Sequence, residues 1–246
     1  MHERIKYLLL LSSICIFPTI ACLAQSAQEI LMKYDKVVFA PLDQYAEITI
    51  QITDKKGNSS IRKASMLQKG KHKRITRFTS PASQAGIGFL SLPNELMYIY
   101  LPAFGKERRI ASHIKNQTFA GTDFTYEDME ALAYSDKYNP KLIRTTESSY
   151  ILELIPKNPR NSEYSKLIIT IDKKEFYGTN TIYYNKSGQK CKKLVTKMEK
   201  RGIYWIALSA EMTDLIKNHK TKMTITKITH DQKLSDEEFT IRKLVQ

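Results

Sequence analysis

The chain has 246 residues, with 39 Lys and Arg against 25 Asp and Glu, and a formal net charge of +14. A chain this size can bury about 70% of its unfolded surface in one core. Its charge favours anionic partners. No RNP, helix-turn-helix or zinc-finger pattern accompanies that charge, so nucleic acid is not an expected partner.

The first 24 residues read as a cleaved export signal. Arg4 and Lys6 form a basic start, Tyr7 to Leu23 is apolar, and Cys22-Leu23-Ala24 offers small residues for cleavage. Lipid attachment at Cys22 is the weaker alternative, because Thr19 is a poor first residue for that motif. Pro18 and the small-residue exit argue against a membrane span. Cys191 then remains as a lone, small hydrophobe. Residues 25–246 are expected to form one domain in the periplasm.

Ala27, Ile30, Leu31, Tyr34, Val37 and Val38 share one helical face, which predicts an amphipathic helix from near Ser26 to about Ala40. From Tyr45 the period becomes two. Ile48, Ile50 and Ile52 alternate with Glu47, Thr49 and Gln51, the pattern of a half-buried strand. Strands over 60–67, 72–78 and 87–92 follow, separated by short turns. Leu96 to Leu101 is an unbroken apolar and aromatic strand that Pro102 stops. Lys106-Glu107-Arg108-Arg109 forms a basic turn, and Ile110 to Ile114 resumes a strand-like pattern.

A helix is predicted from Thr125. Thr125 at the N-cap and Asp128 at N3 match a capping box, Phe124 and Met129 a hydrophobic staple, and Met129, Leu132 and Ala133 share a face. After Pro140 the hairpin rhythm returns, with strands over 142–146, 150–155, 167–171, 181–184, 190–198 and 203–208. Residues 210–218 suit a short helix or a crossing. Thr221 to Ile228 is strand-like, with Met223, Ile225 and Lys227 on one side, and 239–245 closes the chain. With about eleven strands and no β-α-β alternation, the fold class is α+β with an antiparallel sheet.

The stretch 96–129 carries a family resemblance. Tyr100-Leu101-Pro102, Arg108-Arg109-Ile110 and Phe119-Ala120-Gly121-Thr122-Asp123-Phe124-Thr125-Tyr126-Glu127-Asp128 resemble the LolA-like outer-membrane lipoprotein-sorting proteins. Thr122 stands where serine is usual in that family, and Ala120 where a larger residue is common. The resemblance extends to Ala27–Leu31 and to Leu234–Phe239. It implies a strongly curved sheet, a half-open β-barrel wrapped around the first helix and an inserted helical lid. It also implies acyl chains in the enclosed space and an inner-membrane exporter as a partner.

No nucleotide-binding, zinc-binding or serine-hydrolase motif is present, so neither a cofactor nor a metal is expected and no nucleophile–base pair can be nominated. Asp123, Glu127 and Asp128 form the one acidic cluster worth weighing. The helix start, with Thr125 as its N-cap, accounts for Glu127 and Asp128, while Arg108 or Arg109 offers Asp123 a bidentate partner. Ile48, Ile50, Leu96, Tyr98, Tyr100, Phe119, Phe124, Met129 and Leu132 are the candidate cavity residues. In a closed barrel they would fill the core; in an open one they would line a ligand site. The leading reading is a monomeric, non-enzymatic carrier of lipoprotein acyl chains or other lipids. The alternative is an envelope interaction module with a filled core, associated with an exporter or bound to an anionic surface.

Overall fold

The computed structural model describes residues 25–246. The signal reading, with Cys15 and Cys22, lies outside them. Helix α1 spans Ala27–Val38, and its start is the capping box of Ser26 and Glu29. Ser26 Oγ accepts the Glu29 amide at 3.2 Å while the Glu29 carboxylate accepts the Ser26 amide at 2.9 Å. Ile30 and Leu31 are fully buried on its inner face.

Thirteen strands follow: β1 (Asp43–Thr53), β2 (Ser59–Lys69), β3 (Lys73–Ser80), β4 (Gly88–Leu92), β5 (Leu96–Leu101), β6 (Lys106–Arg109), β7 (Tyr138–Thr145), β8 (Ser149–Pro156), β9 (Tyr164–Asp172), β10 (Gly178–Asn185), β11 (Lys190–Arg201), β12 (Tyr204–Asp214) and β13 (His219–His230). Two one-turn helices, α2 (Tyr134–Lys137) and α3 (Ile241–Leu244), and five short 3₁₀ turns complete the elements of the described residues. The expected eleven strands are too few. The basic turn 106–109 is itself a strand on the sheet edge, and 210–214 continues β12 instead of forming a helix. Ile110–Ile114 is not a strand, because Ser112–Ile114 is a 3₁₀ turn.

All strands join one sheet, in the order β6-β5-β4-β3-β2-β1-β13-β12-β11-β10-β9-β8-β7. Local antiparallel hairpins build both halves, and β1 pairs with β13 to join them. If flat, such a sheet would put its edge strands roughly 58 Å apart. Yet Phe89 on β4, Met97 on β5, Leu152 on β8 and Leu167 on β9 belong to one buried cluster with α1. The sheet therefore curls around its core. Its edges, β6 and β7, are consecutive in the chain, and residues 110–137 run between them as a strap across the inner face. The exposed charges of β6 also blunt the edge against further pairing.

The outer face carries a smaller cluster. Ile75, Leu90, Phe239 and Leu244 bury one another, with Tyr98 and Tyr100 packed alongside. Thus 234–245 is a covering segment, not a final strand. Gly88 makes room for it, since a Cβ there would lie 2.7 Å from Leu244 Cδ1. Leu96–Leu101 is consequently covered on both sides, with Met97 and Ile99 buried and Tyr98 and Tyr100 half-buried. Met97 and Ile99 point to the main core while Tyr98 and Tyr100 point away from it.

Candidate functional site

The helix expected from Thr125 is a single capped turn. The reciprocal bonds are present: Asp128 Oδ2 accepts the Thr125 amide at 2.8 Å, and Thr125 Oγ1 accepts the Asp128 amide at 3.2 Å. The Met129 amide reaches Thr125 O at 3.2 Å and the Glu130 amide Glu127 O at 3.4 Å, and the spiral stops there. Tertiary partners take the groups that a second turn would use. Arg74 Nη1 donates to the Met129 carbonyl at 3.2 Å, and the Ala131 amide donates to Ser91 Oγ at 3.1 Å. The chain then runs extended to α2, whose first amides, Tyr134 and Ser135, donate to the buried Asp35 carboxylate at 2.9 and 2.7 Å. Burial raises the Asp35 carboxyl pKa.

Buried ion pairs hold the strap down. Glu127 accepts from Ser162 Oγ at 2.7 Å and the Glu163 amide at 2.6 Å, and pairs with Lys137 at 3.0 Å. Asp128 accepts from Tyr164 Oη at 2.9 Å and pairs with Lys192 at 3.2 Å. The proposed bond of Asp123 with Arg108 or Arg109 is absent. Both arginines are exposed on β6, and Arg108 lies over the Phe104 ring at 5.2 Å. Asp123 instead meets His219 Nδ1 at 2.9 Å and Thr221 Oγ1 at 2.7 Å on β13. The acidic cluster is thus committed to anchoring.

Under the strap the interior divides in two. One part is filled by aromatic rings: Phe119 packs against Phe78 and Phe89 at centroid distances of 5.6 and 5.5 Å, and Tyr126 against Phe89 at 6.1 Å. The other part is a cavity of about 320 Å³, at the lower end of the size range of small-molecule sites. β1, β2, β3 and β9–β13 form its floor, and α1, α2 and the strap form its cover.

Of the expected cavity residues, Ile48, Ile50, Phe119, Phe124 and Met129 line it. Tyr98 and Tyr100 do not, because they occupy the outer face, and Leu96, in step with them along β5, is absent from the lining too. Leu132 lines a separate polar cleft beside Glu130 and Lys137. The sequence reading missed Met198, Trp205, Ile206 and Met223 on the floor as cavity residues, and Arg74 at one end. Alternation offered a signal for Arg74, since it is in step with Thr76 and the buried Phe78 on β3. Lys227, expected in step with Ile225, gives way to Ile228 as a lining residue. A bulge explains this: Glu47 pairs with Lys227 and Ile48 with Ile225, leaving Thr226 as an extra residue.

A second bulge faces that one. Lys197 pairs with Ser209 and Met198 with Ala207, so Leu208 is extra on β12. The β12–β13 ladder runs from Asp214/His219 to Ser209/Thr224 and goes no further. Beyond it the strands part, each bent by its bulge. A trough of about 680 Å³ lies along the parting, and Ile206, Ile225 and Ile228 line both trough and cavity. At the far end Tyr204 Oη donates to Asp231 Oδ2 at 2.5 Å.

An open, curled antiparallel sheet with a strap over an apolar hollow is a LolA-like fold, and the comparisons agree. An outer membrane lipoprotein-sorting protein domain from Vibrio parahaemolyticus superposes with a TM-score of 0.81 at 24% identity, covering 89% of this chain and 98% of that one. A DUF1329 family protein from Desulfovibrio piger gives 0.82 at 24% identity, covering 89% and 97%. A LolA superfamily protein from Nitrosomonas europaea gives 0.76 at 19% identity, covering 89% and 100%. No curated protein matches the sequence. A family model described as "-like: Uncharacterized protein" matches residues 70–246, and the chain belongs to that family.

Proposed function

We propose that the protein is a non-enzymatic carrier that shelters the acyl chains of a lipid or lipoprotein on the way to the outer membrane. The observation that carries this reading is the hollow beside the aromatic plug, lined largely by Ile, Leu, Val, Met and aromatic side chains. Each CH₂ buried there stabilises a complex by about 0.8 kcal/mol, so affinity requires no covalent step. The lipoprotein-sorting name of the Vibrio parahaemolyticus relative supports it. Among the described residues no helix is long and apolar enough to cross a membrane. The protein would work as a monomer in the periplasm, exported by the signal over 1–24 and loaded by an inner-membrane exporter. The parting of β12 and β13 is its way in from solvent.

The test is native mass spectrometry of the purified protein before and after organic extraction. Co-purified lipid, or uptake of a fluorescent acyl probe by the stripped protein, is the expected result. A lipid-free mass with no uptake would leave the other reading, an envelope interaction module. The exposed basic edge Lys106-Glu107-Arg108-Arg109 is the observation that favours it.

A further inference from the structure

Two charged side chains line the cavity, Arg74 and Asp128. Asp128 is neutralised by Lys192 at 3.2 Å and receives the Tyr164 hydroxyl. Arg74 has no such partner. Its Nε and Nη2 donate to the neutral Gln68 Oε1 at 2.9 and 2.6 Å, and its Nη1 to the Met129 carbonyl. Among the described residues no carboxylate lies within ion-pair distance of it. Three of the five guanidinium N–H groups are used, which leaves two for something else. Arg74 is half-buried. Holding a cation partly out of water with no counter-charge costs free energy, which a bound anion would offset.

The register shows what surrounds it. Gln44 on β1 stands opposite Gln68 on β2, Gln68 opposite Arg74 on β3, and Arg74 opposite Ser91 on β4. These four residues form a polar row across the inner face. Two residues further along each strand the row reads Ala46, Met66, Thr76 and Phe89. Thr76 is buried, lines the cavity, and its hydroxyl has no hydrogen-bond partner. Beyond it the wall becomes apolar at Ile48 and Ile50. The cavity therefore has a cationic, hydrogen-bonding end and a greasy length, the shape of a site for an amphiphile with one anionic end.

We propose that Arg74 binds the oxyanion of an acyl ligand's head, a carboxylate or a phosphate, with the chain laid toward Ile48 and Ile50. A guanidinium meets either group with paired, charge-assisted hydrogen bonds. The protein thereby selects anionic amphiphiles over neutral esters of the same chain. This rests on the carrier reading and sharpens it.

The test uses the mature protein and a neutral fluorescent acyl probe, displaced in turn by dodecanoate, dodecyl phosphate and methyl dodecanoate. One or both anions should displace the probe at concentrations at least about tenfold lower than the ester. Displacement by dodecanoate alone identifies the head as a carboxylate, and by dodecyl phosphate alone as a lipid phosphate. Arg74→Gln should bring the anion-to-ester ratio down to about one, read as a ratio within the variant because loss of the Arg74 bond to the Met129 carbonyl would shift all three competitors together, while Arg74→Lys should retain part of the preference. Equal displacement by acid, phosphate and ester on the native protein would overturn the proposal while leaving the carrier reading intact, and needs no variant to fold. Failure of the probe to bind at all would remove the carrier reading and this one together. A preference that survives in Arg74→Gln would show that another group reads the head and would also refute the assignment.

Discussion

Asp123 and Thr221 bond to each other twice. The Asp123 amide donates to Thr221 Oγ1 at 2.9 Å, and that hydroxyl donates onward to Asp123 Oδ2 at 2.7 Å. Both residues are buried, and the pair rivets the strap to β13 across 98 positions of sequence. Thr221→Val keeps the shape of the side chain and removes both bonds. It leaves the Asp123 amide unpaired and is expected to destabilise the protein by about 1–3 kcal/mol. Chemical denaturation checks this, and an unchanged midpoint would show that the strap is held elsewhere.

Asp128 and Arg109 separate two readings of the central motif. Truncating Asp128 strands the Lys192 ammonium in a buried position and removes the acceptor of the Tyr164 hydroxyl. Asp128→Ala should therefore cost about 3–5 kcal/mol, the range for breaking one partner of a buried pair. Arg109 is exposed on the edge strand, so Arg109→Ala should change stability by no more than about 0.5 kcal/mol. Thermal melts of the two variants give the comparison. A large loss in Arg109→Ala would restore the ion pair that the sequence suggested and the structure lacks.

These residues also show how far the sequence could be read. The helix α1, the hairpins and the capping pair Thr125–Asp128 were legible because each rests on neighbours in the chain: a period, a turn, a reciprocal bond three residues long. The helix after Thr125 was over-read because what ends it, Arg74 on Met129 O and Ser91 on the Ala131 amide, comes from strands 40 to 55 residues away. Leu96–Leu101 was placed correctly as a strand, but its inward side was not. A strand covered on both faces has no polar alternation to set its parity, and a one-residue slip exchanges every side chain between faces. For that reason the sequence alone points Tyr98 and Tyr100 at the cavity, whereas the fold packs them in the outer cluster. The partner of Asp123 was missed because β13 lies so far along the chain, whereas Arg108 and Arg109 stand close by in sequence.

Filling the hollow tests the carrier reading without touching the polar row. Ala210 and Met223 face each other across the last paired stretch of β12 and β13, and both line the cavity. Ala210→Trp places a large ring in existing space. Overpacking of a full core costs about 1–3 kcal/mol, so a melt within about 1 kcal/mol of the parent would show that the space was free. Uptake of an acyl probe should fall by at least about tenfold, because several methylenes lose their burial at about 0.8 kcal/mol each. Undiminished uptake would place the ligand elsewhere.

The parting between β12 and β13 gives the last prediction. Continuing the ladder from Ser209/Thr224 would set Leu208 opposite Ile225, and both residues line the trough. Cysteines at these two positions, joined by a disulfide or a short bis-maleimide, would zip the ladder one step further over the opening. If the ligand passes here, the cross-linked protein should load an acyl probe on the order of tenfold more slowly than its reduced form, as expected when a gating motion is blocked. Its affinity at equilibrium should match that of the reduced form, because position 225, which also lines the cavity, is cysteine in both and Ile48, Ile50 and Met129 are untouched. The reduced double variant controls for the substitutions themselves. Stopped-flow loading with and without reductant makes the measurement. Equal rates would close this route and direct attention to the strap, where Arg74 and Ser91 hold Met129 and Ala131 against the sheet.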